Sequence, residues 1–290
     1  MLRTEHSCDL WAASAVPTQE YFPFVRSTRR QIEMRNTGLR QAIDAAGGIG
    51  ALARGLGIKQ PSVSSWHKIP SDRVLAVETL TGVARETLRP DLYAGGDAID
   101  EIEQARAGEY LLLAKLLRHA PSAELLAQLS QMRGDVTPIG MAHIELAEAA
   151  RAVSLAEASA EYFALFIGIG RGEILPYASY YLTGFLHERP LASLREDLAR
   201  LGIERADGNF DPEDHLGLLL EVMGGFANGT FEADIATQKQ FFDRHIAPWA
   251  ERCLADIAVS SSAKLYKSVA SLGARFVAIE REAFEIDIQS

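Results

Sequence analysis

His215 stands in the run DPEDHLGLLLEVM from Asp211 to Met223, directly after Asp214 and upstream of Glu221. A histidine beside carboxylates is the pairing used for general acid–base work. Here the carboxylates have structural uses first: Asp211 can cap a helix, Pro212 suits the first helical position, and Glu213 and Asp214 sit where the helix dipole favours negative charge. No nucleophile motif and no glycine-rich phosphate cradle accompanies them, so an enzyme is not expected. His215 has no further ligands at zinc spacing, so no metal and no cofactor is assigned. The chemistry left is recognition. An acidic helix start beside the apolar stripe Leu216, Leu219, Leu220 and Met223 can hold arginines of a peptide by charge and its hydrophobic part by burial. His215 and Glu221 lie off the stripe and have no packing reason.

Two further stretches are rich in recognition chemistry. LPYASYYLTG, from Leu175 to Gly184, crowds Tyr177, Tyr180 and Tyr181 beside Pro176 and Ser179. Tyrosine joins apolar area to a hydrogen-bonding tip, which suits a groove gripping varied peptides, and it equally suits packing at a loop-to-helix junction. FFDRHIAPWAERC, from Phe241 to Cys253, places His245 just before Pro248 and Trp249. Proline ends or kinks a helix there, and a tryptophan by itself reads more readily as a core anchor than as a ligand contact.

The elements that must position these residues read as helices. Apolar spacing predicts Ile99 to His119, Ser122 to Met132, Pro138 to Arg151, Leu155 to Gly168, Tyr177 to His187, Leu191 to Leu201, Pro212 to Ala227, Thr237 to His245 and Ser260 to Phe284, with no alternating β-type runs. The expectation is an all-α protein without a fixed repeat, a larger globular bundle behind a small helical domain. Its 290 residues, 48% hydrophobic and 23% charged, suit two packed domains. The boundaries read as an unassigned extension over 1–36, a small domain over 37–93, a linker over 94–104 around Ala94-Gly95-Gly96, and the large domain over 105–290.

Charge divides the same way. The net charge is −10, but residues 37–93 carry 7 Lys+Arg against 5 Asp+Glu, whereas residues 94–290 carry 17 against 30. The two parts face different partners. Cys8 and Cys253 form no CxxC or Cys/His cluster, and the longest apolar stretch, Tyr162 to Gly170, is about half of a membrane span. The amino terminus does not read as a secretory signal. The expected location is the cytoplasm, without membrane insertion.

In the small domain, helical spacing at Leu39 and Ile43 stops at Gly47-Gly48, a second helix runs through Leu52 and Leu56 to Gly57, a third starts near Gln60-Pro61, and a fourth from about Ser71 to Thr81 ends at Gly82. This is the plan of a helix-turn-helix. With Val63 and Trp66 facing inward, Ser64, Ser65 and Lys68 turn outward, with Gln60 at the leading end, as candidates for bases or phosphates of DNA. Residues 38–92 resemble the YdaS-like branch of Cro-type repressors, most specifically in TGVARETLRPDLY.

Taken in order, the aromatic stretch, DPEDH and HIAPW resemble the TorD/DmsD/NarJ family of redox-enzyme maturation chaperones over about residues 105–285. The resemblance implies a helical chaperone that binds the twin-arginine signal peptide and precursor of an exported molybdenum-cofactor oxidoreductase, with a formate dehydrogenase-like enzyme among the plausible clients. It carries client contact onto Tyr177, Ser179, Tyr181, Asp211, Glu213, Asp214, His215, His245 and Trp249; Glu221 joins this set because it departs from the apolar stripe. The family does not require a helix-turn-helix in front. That fusion opens a second reading: a DNA-binding transcriptional regulator whose helical domain is a sensor or dimeriser. A homodimer is compatible with either, since helical chaperones can exchange elements between protomers.

Overall fold

The computed structural model describes residues 25–27, 37–66, 68–89, 99–206 and 211–286. The chain divides into two compact units, Arg29–Glu101 and a larger one that joins Ile102–Ser290 to the segment ending at Thr28. Both are built from α-helices. The described part of the expected 94–104 linker is already helical from Ile99.

In the smaller unit, α1 (Thr37–Ala45), α2 (Ile49–Gly55), α3 (Gln60–Ser64), α4 (Val74–Thr81) and α5 (Arg85–Leu88) enclose Leu39, Leu52, Val63, Ile69, Val74, Val77 and Leu88, all fully buried. The turns sit at the predicted glycines, where only glycine adopts the left-handed backbone without strain: Gly47, Gly57 and Gly82 have φ of 79°, 66° and 70°. Val63 anchors α3 as expected, while Trp66 is half-buried at its edge.

The larger unit contains α6 (Ile99–Arg118), α7 (Ala123–Gln131), α8 (Pro138–Ala152), α9 (Leu155–Tyr162) with a π-helical turn over Phe163–Ile167, α10 (Ala178–Thr183), α11 (Arg189–Leu201), α12 (Leu216–Ala227), α13 (Ile235–His245), α14 (Ala250–Val259) and α15 (Leu265–Ile286). Local sequence starts several of them. Ser122, Thr137 and Asp234 cap α7, α8 and α13, and Ser154 with Glu157 forms a reciprocal capping box on α9.

α12 is the centre. All of its residues are buried, so it has no polar face and the predicted single stripe is only one side of it. Gly217 and Gly224 let α6 approach the other side: a Cβ on Gly217 would lie 2.6 Å from Cγ of Arg118, and one on Gly224 2.9 Å from the Leu111 side chain. Two features depart from the periodicity reading. Residues 250–259 form a helix after Pro248, and Val25–Ser27 (β1) pairs antiparallel with Ile203–Arg205 (β2), Val25 opposite Arg205 and Ser27 opposite Ile203. Strands of three residues are too short to show an alternating pattern.

Candidate functional site

The expected helix start at Asp211 is corrected by the structure. α12 begins at Leu216, and its cap is His215, whose Nδ1 accepts the N–H of Gly217 at 3.0 Å. The preceding DPED residues form a turn pinned to the aromatic stretch. Ala178 N–H donates to the Asp214 carbonyl at 2.9 Å, Leu216 N–H donates to the Pro176 carbonyl at 2.8 Å, and Tyr177 and His215 bridge as antiparallel partners. Asp214 then caps α10 from outside: its Oδ2 accepts the N–H of Ser179 at 2.8 Å, a service Tyr177 at the cap position does not perform. Asp214 and Ser179 are both fully buried; Asp214 Oδ1 and Ser179 Oγ have no hydrogen-bond partner among the described residues.

The His215 ring lies 5.1 Å from that of Tyr177, edge to face. Because Nδ1 accepts a hydrogen bond, the ring proton belongs on Nε2. Burial, reinforced by the nearby Arg118 and His119 charges, holds the His215 pKa well below the usual histidine value, so the ring is neutral. Burial with the carboxylate of Asp211 nearby pushes the Tyr177 phenol up to about 12. Neither group is poised for proton transfer near neutral pH.

A second knot holds Tyr181, His245 and Trp249. The rings of Tyr181 and Trp249 stack at 5.4 Å, and Trp249 is 1% exposed with Nε1 donating to the His245 carbonyl at 2.7 Å. Tyr181 Oη donates to Asp256 at 2.8 Å, and His245 Nε2 lies 2.7 Å from Asp197 Oδ2. A carboxylate that close would ordinarily favour the charged imidazole. Asp197 is already engaged by the guanidinium groups of Arg200 and Arg244, and burial with those two cations lowers the His245 pKa to about 4. Pro248 separates α13 from α14, so the HIAPW motif is a corner filled by its tryptophan.

Of the sequence-predicted client residues, Tyr177, Ser179, Asp214 and His215 therefore share one locus, and Tyr181, His245 and Trp249 a neighbouring one, with Ser179 and Tyr181 on the same short helix. Seven of the ten are buried, counting Glu221, which is 2% exposed within the Coulombic reach of Arg118. Tyr177 and Glu213 are half-buried, and Asp211 is exposed. Asp211 pairs with Arg118 at 3.2 Å and Glu213 with Arg195 at 2.8 Å, while Arg205 donates to the Asp211 carbonyl at 3.1 Å. Arg118, Arg195, Asp197 and Asp256 are the residues that sequence reasoning missed. Only Arg118 had a local signal, as a cation in the last turn of α6, and that signal points to the helix dipole.

In the smaller unit, Gln60, Ser64, Ser65 and Lys68 are all exposed, on or just after α3, while Val63 between them is fully buried. The Ser65 hydroxyl donates to the Ser62 carbonyl at 2.8 Å. Among the described residues no group of histidine, cysteine and acidic side chains is arranged to hold a metal ion, and no helix is long and apolar enough to cross a membrane.

Comparison with known proteins matches these two units separately. Residues 133–255 match the family described as nitrate reductase delta subunit, and residues 39–96 the family described as bacterial toxin YdaS. The chain is similar to the chaperone protein TorD of Vibrio cholerae (28% identity over 146 residues, 46% of this chain and 64% of that protein) and of Aliivibrio fischeri (31% over 107 residues, 33% and 49%). It is also similar to TorD of Shewanella oneidensis, at 26% identity over 211 residues, 66% of this chain and 95% of that protein. The alignments to the Vibrio cholerae relatives thus span less than two thirds of those proteins. The all-α chain is accordingly similar to TorD chaperones and to the nitrate reductase delta subunit family in its larger unit, and to the YdaS family, helix-turn-helix in plan, in the residues that precede it.

Proposed function

We propose that this protein is a cytoplasmic maturation chaperone, a binding protein without catalytic activity, that holds the twin-arginine signal peptide and the unfinished body of an exported molybdenum-cofactor oxidoreductase. The observation that carries the reading is the surface of the DPED turn. Exposed Asp211 lies near the half-buried Tyr177, Glu213 follows it in the same turn with a side chain 13% exposed, and buried Asp214 and His215 tie that turn to Ser179 and to the start of α12. Carboxylates on a fixed frame suit guanidinium groups, and a tyrosine edge suits the apolar residues around them. The TorD relatives, named as chaperones, support the same class of function.

The test is a pull-down from native cytoplasm with the tagged full chain and with an Asp211→Asn/Glu213→Gln variant, the retained proteins being identified by mass spectrometry. Retention of a twin-arginine precursor by the first and its reduction with the second is the expected result. Absence of any such precursor from the wild-type eluate would remove the chaperone reading.

A second reading has its own observation: the four polar residues chosen as DNA contacts are all exposed around a helix fixed by Val63. DNA recognition by the smaller unit, with the larger as sensor or dimeriser, predicts binding that falls steeply as salt rises. A shift assay across a salt series tests it, and affinity indifferent to both sequence and salt counts against it.

A further inference from the structure

The carboxylates of Asp211 and Glu213 are each met by an arginine of the chain itself, and the two pairings differ in kind. Arg118 is 2% exposed at its side chain and runs past Gly217, while the Asp211 side chain above it is 52% exposed. The Glu213 pair is the reverse: the carboxylate is 13% exposed and its partner Arg195 is 53% exposed. Arg195 brings both Nε and Nη2 to the same oxygen, Oε2, at 2.9 and 2.8 Å, rather than one nitrogen to each oxygen. The fork-to-fork arrangement that makes arginine–carboxylate pairs strong is thus not formed, and Arg195 leaves Oε1 unengaged. Next in sequence, fully buried Asp214 keeps Oδ1 without a hydrogen-bond partner, as does the hydroxyl of Ser179, so polar capacity remains unused at this locus.

Solvent-exposed ion pairs contribute little, because water screens them and both side chains lose freedom. A buried arginine cannot leave its carboxylate without leaving charge stranded. We propose that Arg195 is an internal stand-in for a ligand's arginine: Glu213 is the carboxylate that receives a guanidinium from an incoming basic peptide, and Arg195 swings into solvent as it arrives. Arg118 stays in place and fixes Asp211. This rests on the peptide-binding reading above and deepens it, since it assigns one specificity-determining carboxylate and one autoinhibitory contact. Lysine has no planar fork, so the exchange favours arginine.

The test uses the full chain and a fluorescent synthetic peptide in which two consecutive arginines precede an apolar segment, with a two-lysine version as comparison. Binding is measured for wild type, Arg195→Gln, Glu213→Gln and the double variant, after circular dichroism shows that all four fold alike. Removing the internal competitor is expected to tighten binding of the arginine peptide about two- to five-fold, the range an exposed pair can supply. The gain disappears when Glu213 is also changed and shrinks with the lysine peptide. Unchanged or weaker binding by Arg195→Gln, or a gain that survives Glu213→Gln, overturns the proposal. Failure of the peptide-binding reading itself shows separately, as a wild-type chain that retains no precursor from cytoplasm.

Discussion

Asp214 caps a helix to which it does not belong: its Oδ2 takes the N–H of Ser179 at 2.8 Å across a separation of 35 residues. The bond ties the DPED turn to α10 with both partners fully buried. Losing a buried acceptor strands its donor, at about 1–3 kcal/mol. Asp214→Ala should therefore destabilise the larger unit by about that much in urea unfolding followed by circular dichroism, whereas Glu213→Gln, whose partner Arg195 is 53% exposed and can turn to water, should change it by under about 1 kcal/mol. Equal effects of the two would refute the capping account. The comparison also tells binding defects of Glu213 variants from folding defects of Asp214 variants.

Stability should fall with acid earlier than carboxylates alone would dictate. His215 and His245 both have folded pKa values below the usual histidine value, His245 at about 4. The native state then refuses a proton that the unfolded state accepts, so stability is flat above about pH 6.5 and declines below it. Each histidine contributes up to about 1.4 kcal/mol per pH unit. For His245 the loss runs down to about pH 4, and buried His215 adds a loss of the same sign. Unfolding measured from pH 7.5 to 4.5 should show the decline, and His245→Gln should make it shallower; an unchanged slope would mean that Asp197 keeps His245 protonated after all.

Trp249 is an anchor by burial, by its stack on Tyr181 and by its bond to the His245 carbonyl. Trp249→Ala should cost about 3–5 kcal/mol, and Trp249→Phe less, because a ring remains to pack on Tyr181. Denaturant midpoints for the two variants check the order. Near-wild-type stability of the alanine variant would return Trp249 to the role of a ligand contact.

Gly217→Ala should loosen the seam between α6 and α12, since its Cβ would lie 2.6 Å from Arg118 Cγ and 3.1 Å from the Ala114 carbonyl. Overpacking of this kind costs about 1–3 kcal/mol. Gly229→Ala meets no neighbour within 4 Å and is strained only by its φ of 75°. Thermal unfolding should rank Gly217→Ala as the less stable of the two.

If the smaller unit reads DNA, Lys68→Ala should weaken binding across sequences and reduce the slope of log affinity against log salt by about one, as loss of a phosphate contact does. Gln60→Ala should instead relax preference at one position. Anisotropy titrations on matched and scrambled duplexes distinguish the two outcomes. Identical behaviour of the two variants argues against base readout by Gln60.

The sequence by itself determined the helical class, the turns of the smaller unit at Gly47, Gly57 and Gly82, and the buried anchor Val63, because these follow from periodicity and from backbone conformations only glycine takes up easily. It also singled out the DPEDH, aromatic and HIAPW stretches. It misplaced the start of α12, since Asp-Pro-Glu-Asp is an ideal local helix start and only the pairing with Pro176 and Ala178 turns it into a bridge. Tertiary structure alone decided that Asp214 caps α10, that His215 caps α12, and that Arg118 and Arg195 face Asp211 and Glu213. Local patterns report how a segment satisfies its own backbone. Which distant charge or N–H completes a side chain depends on packing, and no spacing within one segment encodes that.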